Sequence, residues 1–291
     1  MKKTPIYYHI PKSGGTYCLS YFTVAARRYW ANSEFNCDFL QTEKDYSTFR
    51  CIQCVNNEEK VTFRVLIGDK NLHWPSLPIK KRIGSYTINI DEKFLNKSFF
   101  ENTKTLFLEI CPAGFSQHEN ILDLFNNLNF YKFTIIREPF SRAQSIYFYN
   151  TGSNSRHDAQ HGCYNECNSF ENFIMSNKLS DSWLIRSLLK LKDNSPILEK
   201  DFQKVKNLLK SFNICDINDI ENVLNKTALD CYGFNIKNLK LSEREKVFLL
   251  QKNEGFYKKN KFKELHEKQQ SIFELRAYWD IRLYNELLNV I

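Results

Sequence analysis

A short segment near the start of the chain, residues 5–30, combines a strand, a glycine loop and a helix. Apolar and aromatic residues run up to Ile10 and predict a buried strand. They lead into PKSGGT, where regular structure must break, and apolar residues then recur at helical spacing from Leu19 to Tyr29. The order strand, loop, helix favours an α/β fold.

The loop has the residues of an anion-binding site. Gly14 and Gly15 allow backbone N–H groups to turn inward around an anion, and the helix N-terminus adds partial positive charge. Lys12 adds a full charge, although a glycine pair that only makes a tight turn is the alternative. The combination predicts phosphate or sulfate binding. The residues assigned to this site are Lys12, Ser13, Gly14, Gly15, Thr16 and Tyr17. Because the lysine precedes the glycines, the loop does not fit G-x-x-x-x-G-K-[ST].

A second strand-to-helix junction follows a predicted buried strand at residues 131–136. Arg137 ends this strand, and Ser145 lies two turns into the next predicted helix. A guanidinium fork with a serine hydroxyl can clamp a phosphate, which makes Arg137 and Ser145 candidates and Ser141 and Arg142 secondary ones. The alternative is an ordinary junction in which a nearby glutamate pairs with the arginine.

Both motifs resemble those of sulfotransferases that use 3′-phosphoadenosine-5′-phosphosulfate (PAPS). HIPKSGGT resembles their 5′-phosphosulfate loop and looks closest to the heparan sulfate O-sulfotransferases, the 6-O type above all. REPFSRAQSIY resembles the 3′-phosphate motif, with Arg137 and Ser145 at its two phosphate-binding positions. The resemblance implies a P-loop-like α/β fold with a central, mostly parallel sheet flanked by helices, in one domain over residues 1–291. It also implies PAPS as the donor and adenosine 3′,5′-bisphosphate as the product.

A histidine beyond another predicted strand is the candidate base. Residues 61–67, VTFRVLI, alternate as in a strand, and His73 follows beside Trp74. A histidine there also fits a packed loop residue, but the 6-O-sulfotransferases carry Gly-Leu-His with a nearby tryptophan after an aromatic strand. The resemblance therefore implies that His73 removes the acceptor proton and that Lys12 neutralises charge on the leaving group. No metal is needed in this scheme.

Nine cysteines raise a separate possibility of metal binding. Cys51 and Cys54 form C-x-x-C, while His161, Cys163 and Cys167 form a second cluster. Together they could bind zinc, but C-x-x-x-C is poor zinc spacing and the groups lie far apart in the sequence. We predict no metal site and cysteines that are mostly thiols.

The chain carries 41 Lys and Arg against 33 Asp and Glu, a net charge of +8, which favours anionic partners. No nucleic-acid motif is present. The resemblance implies an anionic or neutral glycan as the acceptor, and a lipid-linked sugar or a small alcohol is the alternative. No transmembrane segment or signal-like region is evident, and we expect a cytoplasmic protein, or a Golgi one if an N-terminal anchor was removed. The alternative functions are a catalytically inactive anion- or glycan-binding relative and a P-loop small-molecule kinase.

The remaining patterns predict further elements. Residues 33–60 are predicted to form an irregular segment at the surface. One long amphipathic helix is predicted at the end of the chain. Glu109 and His118 are expected to have structural roles, and Arg186, in a predicted helix that resembles one of the family, is a candidate to reach substrate or cofactor. Other strands are predicted at 86–90, 104–110 and 212–215, and helices at 117–128, 170–175 and 183–191.

Overall fold

The structure of the protein is a computed structural model. It describes residues 1, 3–11, 13–36, 49–56, 61–68, 79–82, 85–91, 104–111, 129–151, 167, 169–177, 179–192, 194–249 and 265–289. Lys12, His73, His118 and the predicted helix at 117–128 lie outside these residues.

The described residues form eight strands and nine α-helices. The strands are β1 Thr4–Tyr8, β2 Phe49–Asn56, β3 Val61–Gly68, β4 Ile79–Arg82, β5 Ser85–Asp91, β6 Lys104–Cys111, β7 Phe130–Ile136 and β8 Asn213–Asp216. The helices are α1 Gly15–Phe35, α2 Pro139–Thr151, α3 Phe170–Met175, α4 Trp183–Leu189, α5 Glu199–Lys210, α6 Ile220–Tyr232, α7 Glu243–Leu249, α8 Glu267–Arg276 and α9 Tyr278–Leu288.

The chain forms two compact units. Unit 1 contains Met1–Thr134 and Asn218–Gln251, and unit 2 contains Ile135–Ile217 and Lys252–Ile291. Compact units of this kind occur in single domains and in pairs of domains, so the single domain expected from the sequence stays a prediction.

The strands of unit 1 form one sheet in the order β4-β5-β2-β3-β6-β1-β7. β1 pairs in parallel with both neighbours, with Ile6 opposite Leu108 of β6 and Tyr8 opposite Thr134 of β7. β3 pairs antiparallel with β6 and with β2, and β2 pairs in parallel with β5. All five residues of β1 are buried, as expected for a strand covered on both faces. The predicted α/β class is confirmed.

Aromatic contacts and buried hydrogen bonds hold α1 in unit 1. Phe22 of α1 stacks on Phe107 of β6, with ring centroids 4.7 Å apart. The Tyr21 hydroxyl donates to Asn225 Oδ1 of α6 at 2.7 Å, in a buried position. These contacts fix α1 on two sides. They therefore also fix the position at which the loop between β1 and α1 ends.

Unit 2 is mainly helical and has its own apolar core. Ala143, Tyr147, Cys167, Phe170, Phe173, Ile174, Leu179, Phe273 and Ala277 are its buried members. The Asp280 carboxylate of α9 accepts the backbone N–H groups of Leu184 and Ile185 at 2.8 and 3.2 Å. These N–H groups lie in the first turn of α4 and have no acceptor within the helix, so the Asp280 carboxylate supplies one.

Two sequence expectations need correction. Residues 33–60 were expected to be irregular, but β2 occupies Phe49–Asn56 because β3 and β5 pair with it on either side and complete its backbone hydrogen bonds. The single C-terminal helix is two helices, α8 and α9, separated at Ala277. The carbonyl of Arg276 accepts the backbone N–H of Ser182 at 2.8 Å, which takes it out of the helical pattern.

The predicted strands at 61–67, 86–90 and 104–110 are confirmed as β3, β5 and β6. The predicted helices at 170–175 and 183–191 correspond to α3 and α4. No helix among the described residues combines the length and the apolar character that a membrane span requires.

Candidate anion-binding site

The loop between β1 and α1 leads into a helix whose first turn carries no acidic side chain. The backbone N–H of Ser13 donates to the carbonyl of Ile10 at 3.2 Å and closes a turn, and α1 begins at Gly15. The first N–H groups of a helix have no acceptor within it. The N-cap residue of α1, Gly14, has no side chain that could cap them, and the first turn contains no acidic residue. This end of the helix therefore carries the partial positive charge that attracts anions.

Ser13 provides a second sign of a ligand site. Its side chain is fully buried, and its Oγ has no hydrogen-bond partner among the residues that the structure describes. Buried polar atoms are normally paired, because an unpaired one loses its hydration without compensation. An anion oxygen held in the loop would provide the missing partner.

The two loop glycines are required for different reasons. Gly14 has φ 83° and ψ 12°, in the left-handed region that disfavours other residues. Gly15 lacks a positive φ, but a Cβ there would lie 2.0 Å from both Cε1 and Nε2 of His9. Gly14 thus allows the turn, while Gly15 allows the His9 ring to lie directly against the start of α1.

A buried glutamate holds His9 in this position. Glu109 Oε1 lies 2.8 Å from His9 Nδ1, and Glu109 Oε2 accepts from Arg64 Nη1 at 2.9 Å. The Glu109 side chain has no solvent exposure, whereas 14% of His9 and 27% of Arg64 are exposed. Arg64 and Glu109 sit opposite each other in the β3–β6 ladder, and His9 directly follows β1. We call these residues, Arg64, Glu109 and His9, the charge triad.

The pKa of Glu109 follows from this arrangement. Burial, the largest influence, favours the neutral acid and would raise the pKa, but Arg64 and His9 together outweigh it. The pKa of Glu109 is therefore below its ordinary value, and the carboxylate is charged at neutral pH. The charged carboxylate lies 2.8 Å from His9 Nδ1, and the Cε1–Nε2 edge of the ring lies on the side of Gly15.

Tyr7 of β1 contacts both the loop and the His9 ring. Its hydroxyl donates to the Ser13 carbonyl at 3.2 Å in a buried position. Its ring stacks on His9 on one side, with centroids 5.3 Å apart, and on Phe133 at 5.1 Å. The loop and the His9 ring are thus positioned by strand residues rather than by the loop sequence alone.

The second predicted phosphate site lies in unit 2. Arg137 directly follows β7, and its Nε donates to Ser141 Oγ at 2.9 Å, while Ser145 is buried further along α2. The Glu138 carboxylate accepts the N–H groups of Phe140 and Ser141 at 2.8 and 2.7 Å. Glu138 therefore occupies the start of α2, and anion binding here must come from guanidinium groups.

Arg142 lies near Arg137 in this region. Burial, the largest influence, lowers the pKa of Arg142 to about 10; Asp280 opposes this, and the neighbouring charge of Arg137 adds to it. Arg142 Nη2 is 3.8 Å from Asp280 Oδ2, and the guanidinium lies 4.1 Å from the centroid of the Trp183 ring. Asp280 and Trp183 thus hold Arg142 in place beside Arg137.

Arg186, which the sequence named as a candidate to reach substrate or cofactor, makes structural hydrogen bonds instead. Arg186 is buried and donates to the carbonyls of Asp181, Lys192 and Ser195 at 2.7 Å each, so it ties the ends of α4 together. Cys51 in unit 1 and Cys167 in unit 2 are buried. Cys54 belongs to β2, and two further possible zinc ligands, His161 and Cys163, lie outside the described residues.

Sequence reasoning missed the charge triad. The sequence offered one signal, a single acidic residue in the apolar strand KTLFLEI and a single basic residue in VTFRVLI. Buried charges are normally paired, so two isolated opposite charges in neighbouring strands indicate a pair. The strand order and register needed to join them are absent from the local pattern.

Comparisons of the sequence with protein-family models and with curated proteins give no match. The two sulfotransferase-like motifs therefore remain a resemblance, and the function that they imply is a proposal.

We predict that Gly15→Ala destabilises the protein by about 1–3 kcal/mol because its Cβ would overlap the His9 ring. In a His9→Ala background the same change should be neutral or stabilising, since alanine is the better residue for a helix and no overlap remains. Gly14→Ala is the control and should destabilise both backgrounds because of its left-handed backbone. Urea unfolding measures all three. A Gly15→Ala cost that is unchanged without His9 would contradict this explanation of the glycine.

We predict that Glu109→Gln costs about 3–5 kcal/mol at pH 7, because it leaves a buried pair incomplete. The folded pKa of Glu109 is lowered, so its contribution is present above the unfolded value of about 4.3 and is lost as the pH falls through the folded pKa. The difference in unfolding free energy between wild type and variant should therefore shrink below about pH 4.

The matched control is Glu243→Gln, which removes a mostly exposed pair with Lys246. It should change the free energy of unfolding by no more than about 1 kcal/mol at any pH. A Glu109→Gln cost that is equally small would show that the charge triad contributes little to folding.

Proposed function

We propose that the protein is a sulfotransferase that moves a sulfuryl group from PAPS to a hydroxyl of a carbohydrate acceptor. One observation carries this proposal: the loop of HIPKSGGT enters α1 through a left-handed Gly14 and a Gly15 without space for a side chain. The helix behind it has a glycine as its N-cap residue and no acidic residue in its first turn. A loop of this form suits the 5′-phosphosulfate group of the donor.

The second motif would hold the other phosphate of PAPS. We assign Arg137 and Ser145 to the 3′-phosphate on the resemblance of REPFSRAQSIY. The positive charge of Arg137 and Arg142 near the start of α2 supports this assignment. A guanidinium can bind a phosphate with two parallel hydrogen bonds, which would distinguish PAPS from nucleotides without a 3′-phosphate.

The reaction would be an in-line transfer, in which positioning and charge stabilisation dominate as in phosphoryl transfer. The acceptor oxygen forms a bond to sulfur while the bond from sulfur to the bridging phosphate oxygen breaks. His73 would take the acceptor proton, and Lys12 would stabilise the charge on the leaving adenosine 3′,5′-bisphosphate. Both residues are assigned by the resemblance alone, since they lie outside the described residues.

We assign the acceptor class on the resemblance, and the charge of the chain supports an anionic member of that class. The net charge of +8 favours an anionic acceptor, and an anionic glycan fits this charge. A kinase would need a lysine after the glycines, which this loop lacks. An inactive anion-binding relative would share the loop, but only a sulfotransferase needs both PAPS and an acceptor hydroxyl.

The test is transfer of radiolabelled sulfate from PAPS to de-O-sulfated heparan sulfate, chondroitin and neutral dextran. We predict incorporation into at least one anionic glycan, and a loss of at least about 100-fold in His73→Ala, because the base is removed. His118→Ala is the matched control and should keep the wild-type rate. Binding of PAPS without transfer to any acceptor would instead indicate an inactive relative.

A further inference from the structure

We propose that unit 2 contains a further ligand site: a small pocket beside Arg142 that binds a short apolar monocarboxylate through its carboxylate group. We call it the Arg142 pocket, and the residues that define it are Arg142, Leu179, Trp183, Phe273, Ala277 and Asp280. All of them belong to unit 2. The pocket adds a ligand that the proposed function does not require.

Arg142 has a buried donor without an acceptor. The residue is 4% exposed, and its Nη1 has no hydrogen-bond partner among the residues that the structure describes. A buried N–H group that loses its hydration without gaining an acceptor is costly, and the cost is larger for a charged group. The pocket is open space beside this side chain, so a ligand bound there can supply the acceptor.

The carboxylate of Asp280 compensates the charge of Arg142 only in part. Arg142 Nη2 lies 3.8 Å from Asp280 Oδ2, which is longer than a hydrogen bond, and both Asp280 oxygens already accept backbone N–H groups of α4. Burial, the largest influence, lowers the pKa of Arg142 to about 10 even though Asp280 opposes it. Trp183 packs against the guanidinium, 4.1 Å from its ring centroid, and supplies no acceptor oxygen. A second carboxylate at Nη1 would therefore complete the compensation.

The remaining wall of the pocket indicates the class of ligand. Leu179, Phe273 and Ala277 make it largely apolar, and all three are buried. Arg276 and Ser182 also line the pocket, but both already donate to main-chain carbonyls. A phosphate or sulfate dianion needs several donors to replace its hydration. One carboxylate on one guanidinium, with an apolar body against the wall, matches this set of groups better.

The pocket also limits the size of the ligand. Its empty volume of about 280 Å³ includes space that is open to solvent. We therefore place the carboxylate inside, at Arg142, and a short chain of carbon atoms toward the opening, along the apolar wall. Butyrate has this form, and butyramide has the same shape without the charge.

The experiment is calorimetric titration of the full-length protein with sodium butyrate and, separately, with butyramide. We expect butyrate to bind at least about tenfold more tightly, which is the value of one hydrogen bond to a charged group. Sodium sulfate at equal ionic strength should not displace butyrate, because the pocket offers a dianion too few donors.

The variants are Arg142→Gln, which removes the positive charge, and Arg282→Gln, the matched control in α9, whose arginine pairs with Glu199 instead. Arg142→Gln should lose the preference for butyrate over butyramide, and Arg282→Gln should keep it. Indole N–H signals of the wild type give a readout that does not depend on the folding of Arg142→Gln. The chain has four tryptophans, and butyrate should shift the Trp183 signal most, identified by its absence in Trp183→Phe.

Equal binding of butyrate and butyramide by the wild type, or no binding of butyrate up to about 10 mM, would overturn the inference. Butyrate binding that leaves the Trp183 signal unchanged would overturn it as well. If adenosine 3′,5′-bisphosphate displaces butyrate completely, the Arg142 pocket belongs to the donor site and is not a separate site. If butyrate binds as expected while adenosine 3′,5′-bisphosphate binds no better than ADP, the sulfotransferase proposal fails and the inference stands.

Discussion

The buried carboxylate of Glu109 is the interaction on which the described site depends. A charge without solvent contact must be compensated inside the protein, and Arg64 and His9 do so at 2.9 and 2.8 Å. These contacts join β3, β6 and the residue that follows β1. Because the His9 ring also lies against Gly15, the same carboxylate fixes where α1 begins. A structural ion pair thus shapes the loop that we propose as the donor site.

The two phosphate sites of the proposal have different chemistry. The first turn of α1 has no acidic residue and its N-cap residue is a glycine, so main-chain N–H groups can bind an anion there. The start of α2 is occupied by Glu138, so an anion near Arg137 depends on guanidinium groups instead. We infer that this difference suits a donor whose 5′ group must react and whose 3′-phosphate only needs to be held. Fixed main-chain N–H groups can be aimed at the position where charge develops during transfer, whereas arginines supply affinity and selectivity.

Local patterns predicted much of the fold, and long-range contacts explain what they missed. The loop, β3, β6 and β7 were predictable because their signals lie within a few residues: a glycine pair, runs of apolar residues, and an arginine two residues before a proline. β2 was not predictable, because polar residues flank a segment that becomes a strand only when β3 and β5 pair with it. The charge triad requires the β3–β6 register and the position of β1 between β6 and β7. No local window of sequence contains that information.

The central claim is that the protein binds a nucleotide through both a 5′ group and a 3′-phosphate. Calorimetric titration with adenosine 3′,5′-bisphosphate, with ADP as the comparison, tests this claim most directly in wild type, Arg137→Ala and the matched control Arg282→Ala. We predict that the wild type and Arg282→Ala prefer adenosine 3′,5′-bisphosphate by at least about tenfold, the value of one hydrogen bond to a charged group, and that Arg137→Ala loses this preference. Equal binding of the two nucleotides by the wild type, or binding of neither, would contradict the claim.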